Sequence, residues 1–521
     1  MRERRMRISA VAFFATVATT LAAFVLPGAA ISAPPGCANR TNTTYQQLLT
    51  CVTLDGVRAH QQAFQDIADA NDDEFYPGTR AAGTEGYAGS VEYVAGLMRG
   101  AGYNVTLDPF TFTFVFPVVI NQLTPVVADY PSGAFTGSGF GEVTAGVTAV
   151  DINLVPPRAS TSGCEAGDFA GFPAGNIALI QRGTCTFAVK AVNAQAAGAA
   201  AVIIFNQGND PTREALIVGT LLPGGESVTI PVVGGSFADG VALSAAGSTA
   251  HIHVREPEAR TDVNVIAELP GNNPNNVVMA GAHLDSVQAG PGINDNGSGS
   301  AAILETALML AKVKPENTIR FAWWGAEEEG LIGSQAYVDG LSQAEKDRIA
   351  MYMNYDMVGS PNYIQMVYDA DESSFDVPAG FVPDGSIAIE DLYESYYTLI
   401  GEPYDDAEFS GRSDYEAFIL EGIPSGGLFT GAEEPKTALQ QSIWGGVVGE
   451  QLDPCYHEAC DTFANFNAHA LEVNSDLIAF AQLTFAFSTQ SVNGVAGRAV
   501  PGSASMPLPA PAGAEGTWLE P

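Results

Sequence analysis

Six residues that can bind a cation or move a proton stand in four short, glycine-rich segments. AGAHLDS carries His283 and Asp285, GINDNGSGS carries Asp295, WWGAEEEG carries Glu327 and Glu328, and MNYDMVG carries Asp356. Each lies at or just beyond an apolar stretch that predicts a strand. A fifth segment, DPCYHEACD, sets Tyr456 and His457 between Cys455 and Cys460. Zinc takes imidazole nitrogen and carboxylate oxygen at about 2.0–2.2 Å, and a catalytic site keeps one position open for water. Two such ions about 3.5–4 Å apart can share a carboxylate and a hydroxide. Two ligands private to each ion plus one bridge make five, and His283, Asp295, Glu328, Asp356 and His457 supply that number. Only six histidines occur in 521 residues, so two of them in such settings narrow the choice.

Taken singly, each of these residues has an ordinary explanation. A histidine near a strand end commonly fills a turn or core position, and His60, His251, His253 and His469 are read that way. Asp295 in NDNGSGS alone would be a turn or helix-capping residue, and the Glu327–Glu329 run alone a solvated turn. Five such coincidences in one order are what favour the site. Other hydrolytic chemistries leave little trace: no G-x-S-x-G elbow occurs, and HEACD lacks the second histidine of H-E-x-x-H.

The elements that must position these residues alternate. NVVMAGAHLDS, NTIRFAWWGAEE, AMYMNYDMVG and PSGGLFTG predict strands, while GSAAILETALMLAKV and YEAFILEG predict helices. Such alternation implies an α/β fold whose mixed, mainly parallel sheet is covered on both faces. Ligands then collect outside the carboxyl ends of the strands. Upstream, Val57–Ala70 and Gly86–Arg99 predict helices, and NVTLDPFTFTFVFPVVI is strand-like. Residues 121–259 change texture: short strands alternate with Gly/Pro turns and one helix, Phe187–Ala197, as expected of an insert with its own core.

Composition bounds the possibilities. A chain with 46% hydrophobic and 16% charged residues can bury a large core. Its net charge of −37 argues against a nucleic-acid partner, which would call for a basic patch. The start, MRERRMR followed by an apolar run and small residues, has the anatomy of a secretion signal over residues 1–33, although the run could also serve as an uncleaved anchor. Six cysteines after an export signal read as disulfides. Spacing favours Cys37/Cys51, Cys164/Cys185 and Cys455/Cys460 among 15 arithmetically possible connectivities. Residues 490–521, rich in Pro, Ala and Gly, are expected to be a disordered tail.

The ordered set AHLDS, GINDNGSGSA, FAWWGAEEEGLIGS, MNYDMVGS, FSGRSDYEAF and DPCYHEACD resembles the M28 zinc aminopeptidases, and GNIALIQRGTCTFAVKAVNAQAAGAAAVIIFNQ resembles the protease-associated (PA) domain. The resemblance implies a zinc-peptidase catalytic domain over residues 260–489, its N-terminal part over 34–120, and a mostly β PA insert over 121–259. It further implies two Zn2+ per chain, with His283 and Asp356 on one, Glu328 and His457 on the other, and Asp295 bridging. Glu327 would be the general acid/base, Asp285 would orient His283, and Tyr456 would donate its hydroxyl to the reacting carbonyl oxygen. The Asp295–Asn296 bond would be cis. Met357 and Phe429 are candidates for a hydrophobic side-chain pocket as well as for core. Arg412 is a candidate for a substrate contact or a structural ion pair. The implied partner is a peptide with a free N-terminus, the expected protein a secreted monomer without stable membrane association. A carboxypeptidase or glutaminyl cyclase on the same fold is the alternative reaction. A non-catalytic relative would show substitutions among the ligands or at Glu327, and none occurs.

Overall fold

The structure, a computed structural model, describes residues 36–222, 228–505 and 508–510. The expected secretion signal lies outside the described residues, as does the end of the expected tail. Fifteen strands form two sheets among the described residues. Strand β1 (Asn104–Phe114) is followed by β2 (Val119–Thr124), β3 (Ala128–Asp129), β4 (Gly141–Val150), β5 (Ile177–Gln181), β6 (Ala201–Phe205), β7 (Val232–Gly235) and β8 (Thr249–Val254). Then come β9 (Glu258–Leu269), β10 (Asn273–His283), β11 (Asn317–Trp324), β12 (Ile349–Tyr355), β13 (Met366–Tyr368), β14 (Asp405–Ala407) and β15 (Ser425–Phe429).

The large sheet has the order β1-β9-β11-β10-β12-β15-β13-β14. Its centre, β11-β10-β12-β15, is parallel, while β1, β9 and β13 pair antiparallel with neighbours. Strands β11 and β12 are buried at every position, as parallel strands covered on both faces must be. Val278, Ala280, Ile319, Phe321, Trp323, Met351 and Met353 face one core, which also takes helices Leu54–Ala70, Glu85–Ala101, Gly297–Leu310 and Ala468–Phe487. Met279, Trp324 and Tyr352 face the other, against Tyr337 and Phe418. Alternation along each strand thus divides one sheet between two apolar layers. Gly281 fits here because a Cβ would fall 2.3 Å from the Tyr352 hydroxyl.

The smaller sheet has the order β3-β2-β8-β4-β5-β6-β7 and its own apolar clusters. Helix Phe187–Ala196 lies where the sequence predicts one. A second helix, Phe237–Leu243, was not expected; a capping box between Ser236 and Asp239 starts it. The stretch NVTLDPFTFTFVFPVVI is not one strand but two, β1 and β2, in different sheets. The break spans Pro117, which cannot donate to a ladder.

Strands β1 and β9 pair antiparallel over eleven residues, from Asn104↔Glu268 to Phe114↔Glu258. The smaller sheet is spliced between them. Phe75, Phe112, Phe114 and Phe116 pack around this ribbon, and the Arg260 guanidinium lies 3.4 Å from the Phe114 ring centre.

The tail expected to be disordered from residue 490 begins with ordered chain. Gln490–Asn493 is a helical turn, Val500 is buried in the main core, and Arg498 pairs with Glu316. Two apolar anchors, Val492 and Val500, outweigh the Gly/Pro-rich composition here. Disulfides join Cys37–Cys51, Cys164–Cys185 and Cys455–Cys460. Among the described residues no helix is long and apolar enough to cross a membrane.

Candidate active site

Neighbouring parallel strands deliver the chemistry. His283 is the last residue of β10, Asp356 directly follows β12, and Glu327 and Glu328 stand in the turn after β11. Asp295 precedes helix Gly297–Leu310, whose N-cap Asn296 accepts the Gly299 N–H and donates to the Tyr355 carbonyl. The Asp295–Asn296 bond is cis. His457 comes from the loop closed by Cys455–Cys460.

These side chains converge. His283 Nε2 lies 3.2 Å from Asp295 Oδ1 and 3.3 Å from Asp356 Oδ1. His457 Nε2 lies 3.3 Å from Asp295 Oδ2 and 3.1 Å from Glu328 Oε2. Asp295 therefore presents one oxygen to each histidine, the geometry a bridging carboxylate requires. Glu327 stands slightly apart, 4.0 Å from His283 Nε2. His283 is fully buried, Asp295, Glu327 and Asp356 nearly so, while the His457 side chain is 43% exposed.

Each carboxylate sits in a field of others. Burial, opposed by His283 and reinforced by Glu328 and Asp356, holds the Glu327 carboxyl well above the usual range. Burial and the Asp295 charge push Glu328 up to about 7. Burial would raise Asp295, but hydrogen bonds with His283 and His457 hold it below its ordinary value. Burial disfavours the His457 cation, yet Asp295 and Glu328 raise it to about 10. Glu328 Oε1 and Asp356 Oδ1 are buried without a hydrogen-bond partner. Buried polar atoms are rarely left so. Two imidazoles, three carboxylates and two orphaned oxygens fit a cation site of nitrogen and oxygen ligands.

A network that sequence reasoning missed holds the loops of the candidate ligands. The Asp461 carboxylate accepts the N–H groups of Asn294 (2.8 Å) and Asp295 (2.9 Å). Asn465 donates to both Asp461 and Asp453, and Asn294 donates to Asp453. Ser413 donates to Asp356 Oδ2 at 2.7 Å. The fully buried Arg80 guanidinium binds the carbonyls of Leu284, Pro291 and Gly292, tying the His283 and Asp295 segments together. The only advance signal was that Asp453, Asp461 and Ser413 fall inside or beside the quoted motifs.

Asp285 has two parts in this. Its backbone carbonyl lies 3.3 Å from His283 Nδ1 and its carboxylate 3.7 Å. That carboxylate also accepts the Glu327 and Glu328 N–H groups. Acceptors on the Nδ1 side place the proton there and leave the Nε2 lone pair for the cluster.

The cluster floors a cleft of about 840 Å³ whose apolar wall includes Met357, Ile364, Met366, Phe429 and Leu452. Both sequence-named pocket residues, Met357 and Phe429, are thus at the cleft. Tyr456 lines it too, its ring stacked on His457. Arg412 pairs with Glu433 at 2.9 Å and donates to the Tyr456 hydroxyl at 3.1 Å. The histidines read as structural lie elsewhere: His60 contacts Tyr93 and Glu305, His251 contacts Asn121 and Glu142, and His469 contacts Glu402.

Comparison with known proteins identifies the family. Residues 264–482 match the family model "Peptidase family M28", and residues 150–243 match the PA domain. An "Aminopeptidase" of Pseudomonas aeruginosa is 48% identical over 455 residues, spanning 85% of this chain and 83% of that protein. A "Probable leucine aminopeptidase 2" of Aspergillus fumigatus is 46% identical over 66% of this chain and 68% of its own. Among solved structures, a zinc aminopeptidase from Bacillus subtilis aligns with a TM-score of 0.56 and 27% identity, over 82% of this chain and 94% of that one. The class defined is a metallo-aminopeptidase on an α/β sheet. The chain belongs to peptidase family M28 and carries a PA domain.

Proposed function

We propose that the enzyme removes single residues from the N-termini of peptides, outside the cell and as a monomer, using two zinc ions. The observation that supports this best is the convergence of His283, Asp295, Glu328, Asp356 and His457 at three strand ends, with two oxygens left unpartnered, under an apolar cleft. In this reading His283 and Asp356 hold one ion, Glu328 and His457 the other, and Asp295 both. When bound, the ions would supply Lewis acidity toward the scissile carbonyl and a water acidified toward neutrality.

The protein's own groups complete the reaction. Glu327 is buried beside the ligands without belonging to them, and its carboxylate is proton-hungry. It takes the proton of the attacking water and returns it to the leaving amine. The Tyr456 hydroxyl, fixed by Arg412, donates to the carbonyl oxygen as charge gathers there. Acidic residues around the centre hold the substrate α-ammonium, which limits cleavage to the first residue. Met357 and Phe429 favour a hydrophobic side chain such as leucine. Residues 260–489 with 34–120 form the catalytic unit, and residues 121–259 the PA insert.

The test compares one peptide with a free and an acetylated N-terminus, with bound metal quantified. Cleavage of the free form alone, with two zinc ions per active chain, is expected. Equal cleavage of both forms would overturn the N-terminal restriction.

A further inference from the structure

The smaller sheet has a carboxyl edge of its own. Strands β4, β5, β6 and β7 run parallel, so the loops after them gather along one edge, where parallel sheets collect ligands. Three arginines of the PA domain stand there. Arg158 lies in the connection from β4 to β5, Arg182 directly follows β5, and Arg213 lies in the loop after β6. In a chain with 59 acidic and 22 basic residues, carboxylate partners are plentiful, yet these arginines mostly take neutral ones. Arg182 Nη1 lies 3.3 Å from the side-chain oxygen of Asn206, and Arg213 Nη1 lies 2.9 Å from that of Gln207. Arg158 donates to the Gly208 carbonyl and lies 4.2 Å from the Phe237 ring centre. Among the described residues, the one carboxylate in ion-pair contact with any of the three is Asp210, 3.8 Å from Arg213 Nε. Those two side chains are 42% and 38% exposed, so water screens the pair.

An amide oxygen orients a guanidinium without cancelling its charge, and a guanidinium has more N–H donors than one such bond uses. Burial and the Arg213 charge hold the Arg182 guanidinium below its ordinary value, against Asp210. Two like charges are thus kept near each other. The loop that keeps them is fixed from within. Buried Gln181 donates to the carbonyls of Asn153 and Gln207, Gln207 to that of Arg158, and Asn206 to that of Ala215. Asn206 and Gln207 are 3% and 8% exposed. A rigid neutral frame that holds cations together costs energy in the free protein, and an anion bound between them offsets it.

The donor set and the surrounding charge decide which anion. Planar guanidinium forks match a carboxylate. A net charge of −37 repels polyanions, but screening over about 8 Å at physiological salt lets a single small charge approach. An aminopeptidase meets peptides, which carry carboxylates at the C-terminus and on acidic side chains. We propose that Arg182 and Arg213, framed by Asn206 and Gln207 with Arg158 beside them, form a binding site for peptide carboxylates on the PA domain. None of these residues lines the cleft, so the site is separate from the hydrolytic centre. It would hold acidic peptides at the enzyme between cleavage events and raise their effective concentration.

The full-length enzyme is titrated by calorimetry with an N-acetylated peptide ending in Glu-Glu and with the same peptide ending in Gln-Gln amide. The acidic peptide should bind roughly tenfold or more tightly than its neutral counterpart, and less tightly as salt is raised. The Arg182→Gln/Arg213→Gln double variant should lose that preference, while its rate on an aminoacyl p-nitroanilide, which has no carboxylate, stays that of the parent. Equal affinities in the parent, or a preference kept by the variant, overturns the proposal. Inorganic phosphate as competitor should displace the acidic peptide only at concentrations above the peptide's own Kd. Displacement at or below that concentration would make this a site for inorganic anions and overturn the peptide assignment. Should the variant fold poorly, crystals of the parent protein soaked with the acidic peptide locate it directly. A carboxylate on Arg182 and Arg213 supports the site; none there overturns it. The binding readouts do not depend on hydrolysis, so failure here and failure of the blocked-peptide assay are distinguishable.

Discussion

A carboxylate next to a cation site can ligate, move protons or hold the chain, and in the proposed reaction the three roles fall to different residues. Glu327→Gln keeps shape but removes the proton acceptor. Turnover should fall by roughly 10²- to 10⁴-fold with bound metal unchanged, as steady-state rates and metal analysis will show. Asp461 touches no ligand side chain and yet accepts the N–H groups of Asn294 and Asp295. Asp461→Ala leaves those donors unpaired, at about 1–3 kcal/mol, and frees the loop carrying Asp295. Metal affinity should drop by roughly 10- to 100-fold, measured by competition with a chelator; unchanged affinity would show that Asp461 is only structural. The residues of the candidate cation cluster were legible in the sequence because histidine is scarce and the motifs long. Asp461, Ser413 and Arg80 were not, because their partners are backbone atoms and side chains that only the folded loops bring within reach.

Among elements, the loop from Cys455 to Cys460 has the most to position. It carries Tyr456 and His457, and His457 adopts a positive φ of 59°, a conformation uncommon outside glycine. Replacing both cysteines by serine should cost about 2 kcal/mol by the chain-entropy estimate for so short a loop. It should also lower zinc occupancy, because His457 then loses its frame. Thermal unfolding and metal content measure the two effects. Strands β10, β11 and β12 were legible as continuous apolar runs ending in the candidate ligands. Helix Ala468–Phe487 was passed over because its buried residues lie almost all round it, leaving no polar stripe to reveal a helical period. Helix Ile387–Ile400 and the three-residue strands β13 and β14 were passed over as well.

At the scale of the whole molecule, the proposed cation site links ion binding to folding. The candidate ligands from β10, β11, β12 and the disulfide loop must come together before ions can bind tightly. Stripping zinc should therefore lower Tm, and restoring it at about a hundred times its Kd should return about 2.7 kcal/mol. A Tm indifferent to chelation would argue against resident ions. The ribbon of β1 and β9 has another consequence. Phe114 and Glu258, the last paired residues before and after the smaller sheet, are register partners. The polypeptide leaves the large sheet and re-enters it through a single doorway. A connection whose ends are already clamped side by side adds closure entropy only slowly as it lengthens. Whatever is threaded through that doorway is thus a cassette, free to grow, shrink or be exchanged while the strands bearing the candidate catalytic residues keep their places.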